Sequence, residues 1–328
     1  MAISNQNFSA GIIEEFVFKS IRSPFANMPP RDIYSANFDD AIAQDGQVVH
    51  AHQNTTVYGT LNDLALGWDS TPATASNYSA SLKTLGKDHV FTTTNWQTIG
   101  EARILDMFST LGKNVANGIT VNVMNNVTTA SFPNYVTINS SSLFSFTGSN
   151  GLQQIGTTLD NLEVDQNKKF FIGTPNIYQS LVASSGIYNT LNYGSPAIIR
   201  GNGYNDVDGT EINSTHPGIH LIDFDVYKYP RLGRQGLRPF GGDVVSTANL
   251  VGFAGVAEGL FAANRVPIPS NLPLVQSYVY TDPTSKFSLQ YIMAFDTSLP
   301  GIRFGTYTLF GSSNANPNAI VPVITLSN

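Results

Sequence analysis

The histidines are the first residues to consider for chemistry, because imidazole groups bind metals and transfer protons near neutral pH. Of the five histidines, His50 and His52 would share one face of a predicted strand, with Asp45 as a conceivable third ligand. No H-E-x-x-H or comparable spacing accompanies this pair. We therefore expect two exposed polar side chains on a hairpin and no metal site.

Two motifs in the middle of the chain partly match ligand-binding loops. Gly201-x-Gly203-x-x-Asp206 lacks the third glycine of a dinucleotide-binding loop. Asp206-x-Asp208-Gly209, followed by Glu211, lacks the ligand spacing of an EF-hand. No phosphate-binding G-x-x-x-x-G-K-S/T motif and no G-x-S-x-G nucleophile elbow occurs. This stretch is therefore predicted to be a surface loop that holds no cofactor.

Paired carboxylates are the remaining candidates for catalysis, because two of them can perform acid–base hydrolysis even when they come from distant positions. Asp160, Glu163 and Asp165 lie close together just before a predicted strand at Lys169, where a solvated polar loop is the default interpretation. A carbohydrate hydrolase would need a deep pocket with paired carboxylates. We expect no catalytic residue in this chain and do not interpret it as an enzyme.

The composition excludes several classes of protein. Charged residues make up 12% of the 328 residues, about half of the usual quarter, and Asn, Ser, Thr and Gly replace them. The chain has no cysteine, which excludes disulfides and thiolate-bound metals. The net charge is −6 and the Lys and Arg residues are scattered, so tight DNA binding is not expected. No ~20-residue apolar run and no signal-peptide pattern occur, so we expect synthesis in the cytoplasm.

The N-terminal stretch has the spacing of an amphipathic helix. Phe8, Ile12 and Phe16 recur every four residues and predict one apolar face. Ser23-Pro24 ends the pattern, because the residue before a proline avoids helical geometry. Two interpretations stay open, namely a core helix of this chain and an arm that docks on a neighbour. The extended, proline-rich Met28–Arg31 segment favours the arm.

The next segment predicts a hairpin followed by a long polar loop. Val48–His52 and Val57–Leu61 alternate apolar and polar residues around a turn-like Gln53-Asn54-Thr55. The remainder, up to Lys83, is rich in Ser, Thr, Ala and Asn and has no clear pattern. Loops of this length are uncommon unless they bind something or are disordered. So polar an extension would be hard to bury within one subunit.

The strongest helix signal begins near Asn95, where Thr94 and Gln97 have the spacing of a capping box. Apolar residues then recur every three or four positions, at Ile104, Phe108, Leu111, Val115, Ile119 and Val123. The pattern predicts a helix from Asn95 to about Asn125, about 45 Å long. Residues 119–123 also alternate as a strand would, so the sequence leaves the end of this helix open.

The second half of the chain mixes strands and helices. Lys169–Ile172 predicts a buried strand, and Thr174-Pro175 predicts the start of a helix that Gly186 ends. A strand is predicted at Ile219–Tyr227, and a helix near Asn249–Ala263 from the spacing of Val256, Leu260 and Phe261. The last strands are predicted at Ser277–Tyr280, Ser288–Ala294, Ile302–Phe310 and Ile320–Leu326. This order indicates an α+β chain.

The order of these elements resembles the major capsid protein of tailed phages, which has the Hong Kong 97-type fold. The segments that carry the resemblance are Gln6–Ala10, Lys169–Leu181, Gly218–Tyr227, Leu250–Asn264 (a strand followed by a helix in that family), Tyr280–Gln290, Gly301–Phe304 and Tyr307–Gly311. Lys286 stands where the family's D-P-x-T-G pattern has glycine. Each segment is degenerate, and the resemblance comes from their order along nearly the whole chain.

The resemblance implies a Hong Kong 97-like capsid fold. Its parts would be an N-terminal arm (1–44), an extended loop (45–80), a peripheral domain with a long spine helix (81–171), an axial domain (172–275), and C-terminal strands that return to the peripheral domain (276–328). Copies would form hexamers and pentamers of an icosahedral phage head that encloses double-stranded DNA, which places the chain in the virion. The predicted assembly contacts are Phe8, Ile12, Phe16, Val57 and Tyr58.

The resemblance also suggests partners and alternatives. Some family members cross-link through a lysine on the extended loop, but no lysine lies between Lys19 and Lys83, so we expect a noncovalent shell. The pattern begins close to Met1, so we expect a separate scaffolding protein, besides a portal protein and possible decoration proteins. An encapsulin-like compartment is one alternative. A secreted surface-layer or adhesin protein is another, although no export signal supports it.

Overall fold

A computed structural model describes residues 33–54, 75–92, 110–139 except 113, 116, 117 and 121, 151–162, 169–183, 219–221, 224–228, 248–268, 275–281, 286–296 and 301–326. The strands in these ranges are β1 (Ser35–Ala43), β2 (Val48–Asn54), β3 (Ala75–Ser81), β4 (Lys83–Thr92), β5 (Val136–Asn139), β6 (Lys169–Gly173), β7 (Ile219–Leu221), β8 (Phe224–Lys228), β9 (Ala248–Gly255), β10 (Leu260–Pro267), β11 (Val275–Thr281), β12 (Ser288–Asp296), β13 (Gly301–Asn314) and β14 (Ile320–Leu326). The helices are α1, described between residues 110 and 124, α2 (Leu152–Asn161) and α3 (Pro175–Ala183). The described part is mostly β-structure with few helices.

The first sheet is built around β13, the longest strand described. Its order is β1-β10-β13-β12-β11, and β4 also pairs with β13. One part of β13, Gly301–Tyr307, pairs with β12, and the next part, Leu309–Asn314, pairs with β10. β12 and β10 are both antiparallel to β13. They lie one after the other along it, because each pairs with a different part of β13. β1 is parallel to β10, which makes β1 and β11 the ends of this path.

The second sheet has the order β5-β14-β9-β6-β8-β7. β6 lies near its centre and is buried along its whole length, as a strand covered on both faces should be. Helices α2 and α3 cover one face of this sheet. The shared apolar cluster includes Leu152, Ile155 and Leu159 of α2, Ile177 and Leu181 of α3, and Phe171, Phe224 and Val323 of the sheet.

The two sheets are joined by a pair of continuous chain segments, because β9 leads into β10 and β13 leads into β14. At the corner between them, the Val256 N–H donates to the Ala319 carbonyl at 3.0 Å. Gly255 and Gly259 lie directly against Ala319 and Ile320, and an added Cβ at either glycine would collide with these residues. The corner therefore depends on two positions that have no side chain.

β10 shows that the helix predicted near Asn249–Ala263 is wrong. This stretch forms β9, a single 3₁₀ turn at Ala257–Gly259, and β10. Alternate residues of β10 enter different apolar clusters, with Leu260 facing one and Phe261 the other. A strand buried on both faces has a continuous apolar run, and the spacing of such a run does not distinguish strand from helix.

Helix α1 confirms the strongest helix prediction over the residues that the structure describes. The buried side chains are those of the predicted stripe, Leu111, Val115, Ile119 and Val123. Residues 122–124 are still helical, so the strand alternative for the end of this helix is wrong. Beyond it, the Asn126 side-chain amide donates to the Asn122 and Val123 carbonyls and to the Ser312 hydroxyl. These bonds satisfy carbonyls that a helix end leaves unpaired.

The predicted step from strand to helix after Lys169 is confirmed. β6 ends at Gly173, and α3 starts at Pro175. The Ile177 N–H donates to Thr174 Oγ1 at 3.5 Å, which is the bond that an N-cap residue makes to the third helical residue. The predicted terminator, Gly186, lies outside the described residues.

Two predictions about short strands are wrong. Gln53 and Asn54 were expected in a turn but continue β2, because they pair across to Ser76 and Ala75 of β3. The strand predicted at Ile219–Tyr227 is two antiparallel strands, β7 and β8. Ile219 and Leu221 fall on odd positions, whereas the buried Phe224 and Val226 fall on even positions, and this change of phase accompanies the break.

The closing strands are confirmed, since β11, β12 and β13 contain the predicted segments and β14 has the predicted bounds. Asp160 was expected in a polar loop but lies in the last turn of α2, where its carboxylate pairs with Lys169. Glu163, Asp165, Val57–Leu61, the N-terminal helix, the Thr94–Gln97 capping box and the 201–215 loop lie outside the described residues. No helix in the described part is long and apolar enough to cross a membrane.

Candidate assembly surfaces

The described residues contain no group of three or more His, Asp or Glu side chains that could hold a metal ion. His50 and His52 are both exposed on β2. His52 Nδ1 lies 2.5 Å from Oδ1 of Asn77, its cross-strand neighbour. Two surfaces of the described part are the candidate functional sites. The five predicted assembly contacts, Phe8, Ile12, Phe16, Val57 and Tyr58, lie outside the described residues.

The first surface is the two-stranded ribbon formed by β2 and β3, which pair with each other in a separate sheet. One face of the ribbon points into the protein. Val49 and Ala80 on this face are buried in a cluster with Leu82, Phe261 and Leu309. The base of the ribbon is therefore anchored on the first sheet.

The opposite face of the ribbon is polar and open. It carries His50 and His52 from β2 and Asn77 and Ser79 from β3, all of them exposed. Val48 lies on the same face and is 45% exposed. Successive side chains of a strand point to opposite faces, which explains why Val49 is buried while Val48 faces solvent. This face offers hydrogen-bonding groups and an apolar side chain without a charged residue.

The turn at Asp45-Gly46 fixes the direction in which the ribbon leaves the sheet. Asp45 Oδ2 accepts a hydrogen bond from the Thr84 N–H at 3.0 Å. The Gly46 N–H donates to the Leu82 carbonyl at 2.8 Å, and the φ of +85° at Gly46 suits glycine. The hydrogen bonds from the Thr84 backbone and hydroxyl lower the pKa of Asp45 below the ordinary value of an aspartate, because they favour the charged carboxylate.

The second surface is β1, which lies at one end of the first sheet. Its register with β10 is interrupted between Phe38 and Ile42. Arg265 of β10 holds the strand before this irregularity, since its guanidinium donates to the Asn37 carbonyl at 2.7 Å and to Asn37 Oδ1 at 3.0 Å. Asp39 and Asp40 within the irregular stretch are exposed. β1 thus presents an acidic bulge at its outer edge.

Solved capsid structures share the fold of this chain. The chain is similar to the capsid of Ralstonia phage GP4, with a TM-score of 0.52 and 7% identity over 92% of this chain and 88% of that chain. It is similar to the capsid of the cyanophage P-SCSP1u, with a TM-score of 0.51 and 11% identity over 90% of this chain and 88% of that one. A capsid chain of an empty GTA particle gives a TM-score of 0.50 and 11% identity, again over 90% and 88%.

These similarities define the class: the chain has the fold of phage capsid proteins, and the similarity extends over nearly its whole length. The likeness lies in the fold, because identities of 7–11% carry little sequence signal. No protein-family model matches the sequence, and no curated protein sequence matches it.

Sequence reasoning missed parts of both surfaces. β1 and β3 were not predicted, because their segments are polar and irregular and become strands only by pairing with β10 and β2. The alternation Val48–His52 did indicate β2 and its exposed face. The acidic pair Asp39-Asp40, two residues before the apolar Ile42, was the available signal for an exposed edge.

Proposed function

We propose that this chain is the major capsid protein of a tailed phage. The observation that carries the proposal is a fold shared with phage capsid chains across about 90% of this chain and 88% of each of them. An insertion or a shared motif would give local similarity, whereas a shell subunit must reproduce the whole arrangement of sheets and extended segments. Copies of the chain would form hexamers and pentamers that close into an icosahedral head around double-stranded DNA.

The described surfaces support assembly by noncovalent contacts. The ribbon is anchored at its base on the first sheet, and its other face is open, so it can contact a neighbouring subunit without rearranging the core. Its open face carries neutral polar groups, which cost less to desolvate than charges do. The lack of lysine between Lys19 and Lys83 leaves the predicted extended loop (45–80) without an amine for a covalent cross-link.

The division of the chain into an N-terminal arm (1–44), the extended loop, a peripheral domain (81–171 with 276–328) and an axial domain (172–275) is part of the proposal. So are the roles of the arm residues Phe8, Ile12 and Phe16 and of the loop residues Val57 and Tyr58 as contacts. Scaffolding, portal and decoration proteins would be the partners. The net charge of −6 suits a wall that encloses DNA without binding it tightly.

The proposal is tested by expressing the chain with and without the products of the neighbouring genes. Sedimentation and negative-stain microscopy should show capsomers or closed shells. Boiling purified particles in SDS should release single chains, and a ladder of linked subunits would contradict the noncovalent shell. Nuclease-protected DNA in particles from infected cells supports a phage head, whereas a packaged enzyme would indicate an encapsulin-like compartment.

A further inference from the structure

The open face of the ribbon carries two imidazole groups from a single strand. His50 and His52 are separated by one residue of β2, and both side chains are exposed. Side chains two residues apart on a strand point to the same face, and their Cα atoms are about 6.6 Å apart. The two imidazoles therefore stand side by side, where exposed rings can turn toward a common point without displacing a packed neighbour.

A hydrogen bond across the ribbon determines which nitrogen of His52 is free. His52 Nδ1 lies 2.5 Å from Oδ1 of Asn77. An amide oxygen accepts hydrogen bonds and donates none, so Nδ1 carries the proton of the neutral ring and Nε2 keeps its lone pair. A histidine that binds a metal commonly donates the N–H of its other nitrogen to an oxygen, which fixes the ring. The contact to Asn77 thus holds His52 in a form that can bind a metal.

We propose that His50 and His52 together bind one divalent transition-metal ion of the class of Zn²⁺, Cu²⁺ or Ni²⁺. These ions accept imidazole nitrogen as a ligand, whereas Mg²⁺ and Ca²⁺ prefer oxygen. The sequence alone predicts no metal site, because the spacing of the two histidines matches no metal-binding motif. The structure adds the exposure of both rings on one face and the hydrogen bond that orients His52.

The site has two protein ligands, and solvent completes the coordination of the ion. Asp45 is not a third ligand, since the described residues contain no group of three His, Asp or Glu side chains that could hold a metal. Its Oδ2 instead accepts the hydrogen bond from the Thr84 N–H in the turn at the base of the ribbon. An ion with open positions binds more weakly than one in a closed structural site, so we expect reversible binding that a chelator removes.

His89 provides a matched control for a single exposed imidazole. It is exposed on β4, and its ring packs against that of Phe91 with 5.1 Å between the ring centroids. The residues two positions away on the same strand are Lys87 and Phe91. Neither is a customary metal ligand, so His89 has no second nitrogen with which to form a chelate.

Calorimetric titration of the purified chain with ZnCl₂ tests the site. Because a chelate needs both rings, His50→Ala and His52→Ala should each lower the affinity for Zn²⁺ by at least about 10-fold, the loss that even an outer-shell partner can cause. The double variant should bind no more weakly than either single variant. His89→Ala should leave the titration unchanged, and MgCl₂ should not compete with Zn²⁺. Circular dichroism checks that all variants are folded.

The role of Asn77 is tested separately. Asn77→Leu removes the acceptor for His52 Nδ1 and should weaken Zn²⁺ binding by about 10-fold, whereas Asn77→Asp keeps an acceptor oxygen and should preserve it. Ser79→Ala, opposite His50 on the same face, should have no effect. Long-range ¹H–¹⁵N spectra of the metal-free chain should show the His52 proton on Nδ1, and a proton on Nε2 instead would contradict the orientation.

Electron paramagnetic resonance with Cu²⁺ as the probe counts the nitrogen ligands. The wild type should show coupling to two nitrogens that the double variant lacks, and each single variant should show one at most. The inference is overturned if the wild type binds no more Zn²⁺ than the double variant, or if His89→Ala weakens binding as much as His50→Ala does. It is also overturned if the effects of the two single substitutions add as those of independent sites would. None of these measurements requires assembly, so their outcome is independent of the proposed function.

Discussion

The side-chain amide of Asn264 hydrogen-bonds to the backbone of Ser288 as a peptide group of a neighbouring strand would. Asn264 Oδ1 accepts from the Ser288 N–H at 2.6 Å, and Nδ2 donates to the Ser288 carbonyl at 3.3 Å. Nδ2 also donates to Thr308 Oγ1 at 2.8 Å and to the Leu309 carbonyl at 3.1 Å. Asn264 thereby joins β10 to the start of β12 where both strands meet β13.

Replacing Asn264 should destabilise the fold strongly, because the residue is fully buried and its partners would lose their hydrogen bonds. We expect Asn264→Leu to lower the free energy of unfolding by about 3 kcal/mol, since each unsatisfied buried polar group costs about 1–3 kcal/mol. Urea denaturation of the unassembled chain measures this. Asn318→Leu, at an exposed position, should change stability by less than about 0.5 kcal/mol. Equal effects of the two substitutions would contradict the role of Asn264.

Removing one or the other partner of the Lys169–Asp160 ion pair should lower the free energy of unfolding by different amounts. The Lys169 side chain is 2% exposed and that of Asp160 is 43% exposed. Asp160→Asn leaves a buried ammonium without its counter-charge and should cost about 2 kcal/mol, less than for a fully buried pair because water screens Asp160. Lys169→Met leaves a carboxylate that water can solvate and should cost less than about 1 kcal/mol. Denaturation of both variants and of the double variant tests the order, and a larger cost for Lys169→Met would refute it.

The Asp45 turn predicts a pH dependence at the base of the ribbon. Because the pKa of Asp45 is lowered in the folded state, chiefly by the Thr84 N–H, its contribution to stability is present above the unfolded pKa of about 3.9. That contribution is lost as the pH falls through the lowered folded pKa. Denaturation should be measured between pH 5 and pH 2, a range of roughly three units around this pKa. Over this range the free energy of unfolding should change less with pH for Asp45→Asn than for the wild type. Identical pH profiles would show that this hydrogen bond does not stabilise the turn.

Substitutions at Val48 and Val49 can distinguish an effect on assembly from an effect on folding, because the two residues are neighbours in sequence but lie on opposite faces of the ribbon. Val49→Asp puts a carboxylate into the apolar cluster beneath the ribbon and should cost more than about 2 kcal/mol. Val48→Asp changes the open face and should leave the circular dichroism spectrum and the unfolding midpoint unchanged while reducing particle yield. Circular dichroism and sedimentation of both variants check this. Normal particle yield with Val48→Asp would show that the open face of the ribbon is not an assembly contact.

The parts of the fold that the sequence predicts are those determined by neighbouring residues. The stripe from Leu111 to Val123 and the Thr174-Pro175 start of α3 depend on local spacing and capping, and both are confirmed. β1 and β3 depend on partners elsewhere in the chain, so their polar sequences carried no comparable signal. β10 was mistaken for a helix because burial on both faces removes the alternation that identifies a strand.

The candidate surfaces were less predictable than the fold, because a surface depends on which strands lie at the ends of a sheet. Nothing in the sequence of β11 distinguishes an edge strand from a central one, and its position follows from the pairing of β12 with β13. The polar composition favours contacts between subunits, which stay a prediction, and it does not indicate which strands of the described sheets would form them.

Electron cryomicroscopy of particles from cells that express the chain together with its neighbouring genes is the decisive test of the proposed capsid role. We expect closed icosahedral shells made of repeated copies of this fold, with five-fold and six-fold capsomers. A chain that stays monomeric at every protein concentration and with every neighbouring gene product, or that forms only open fibres, would contradict it.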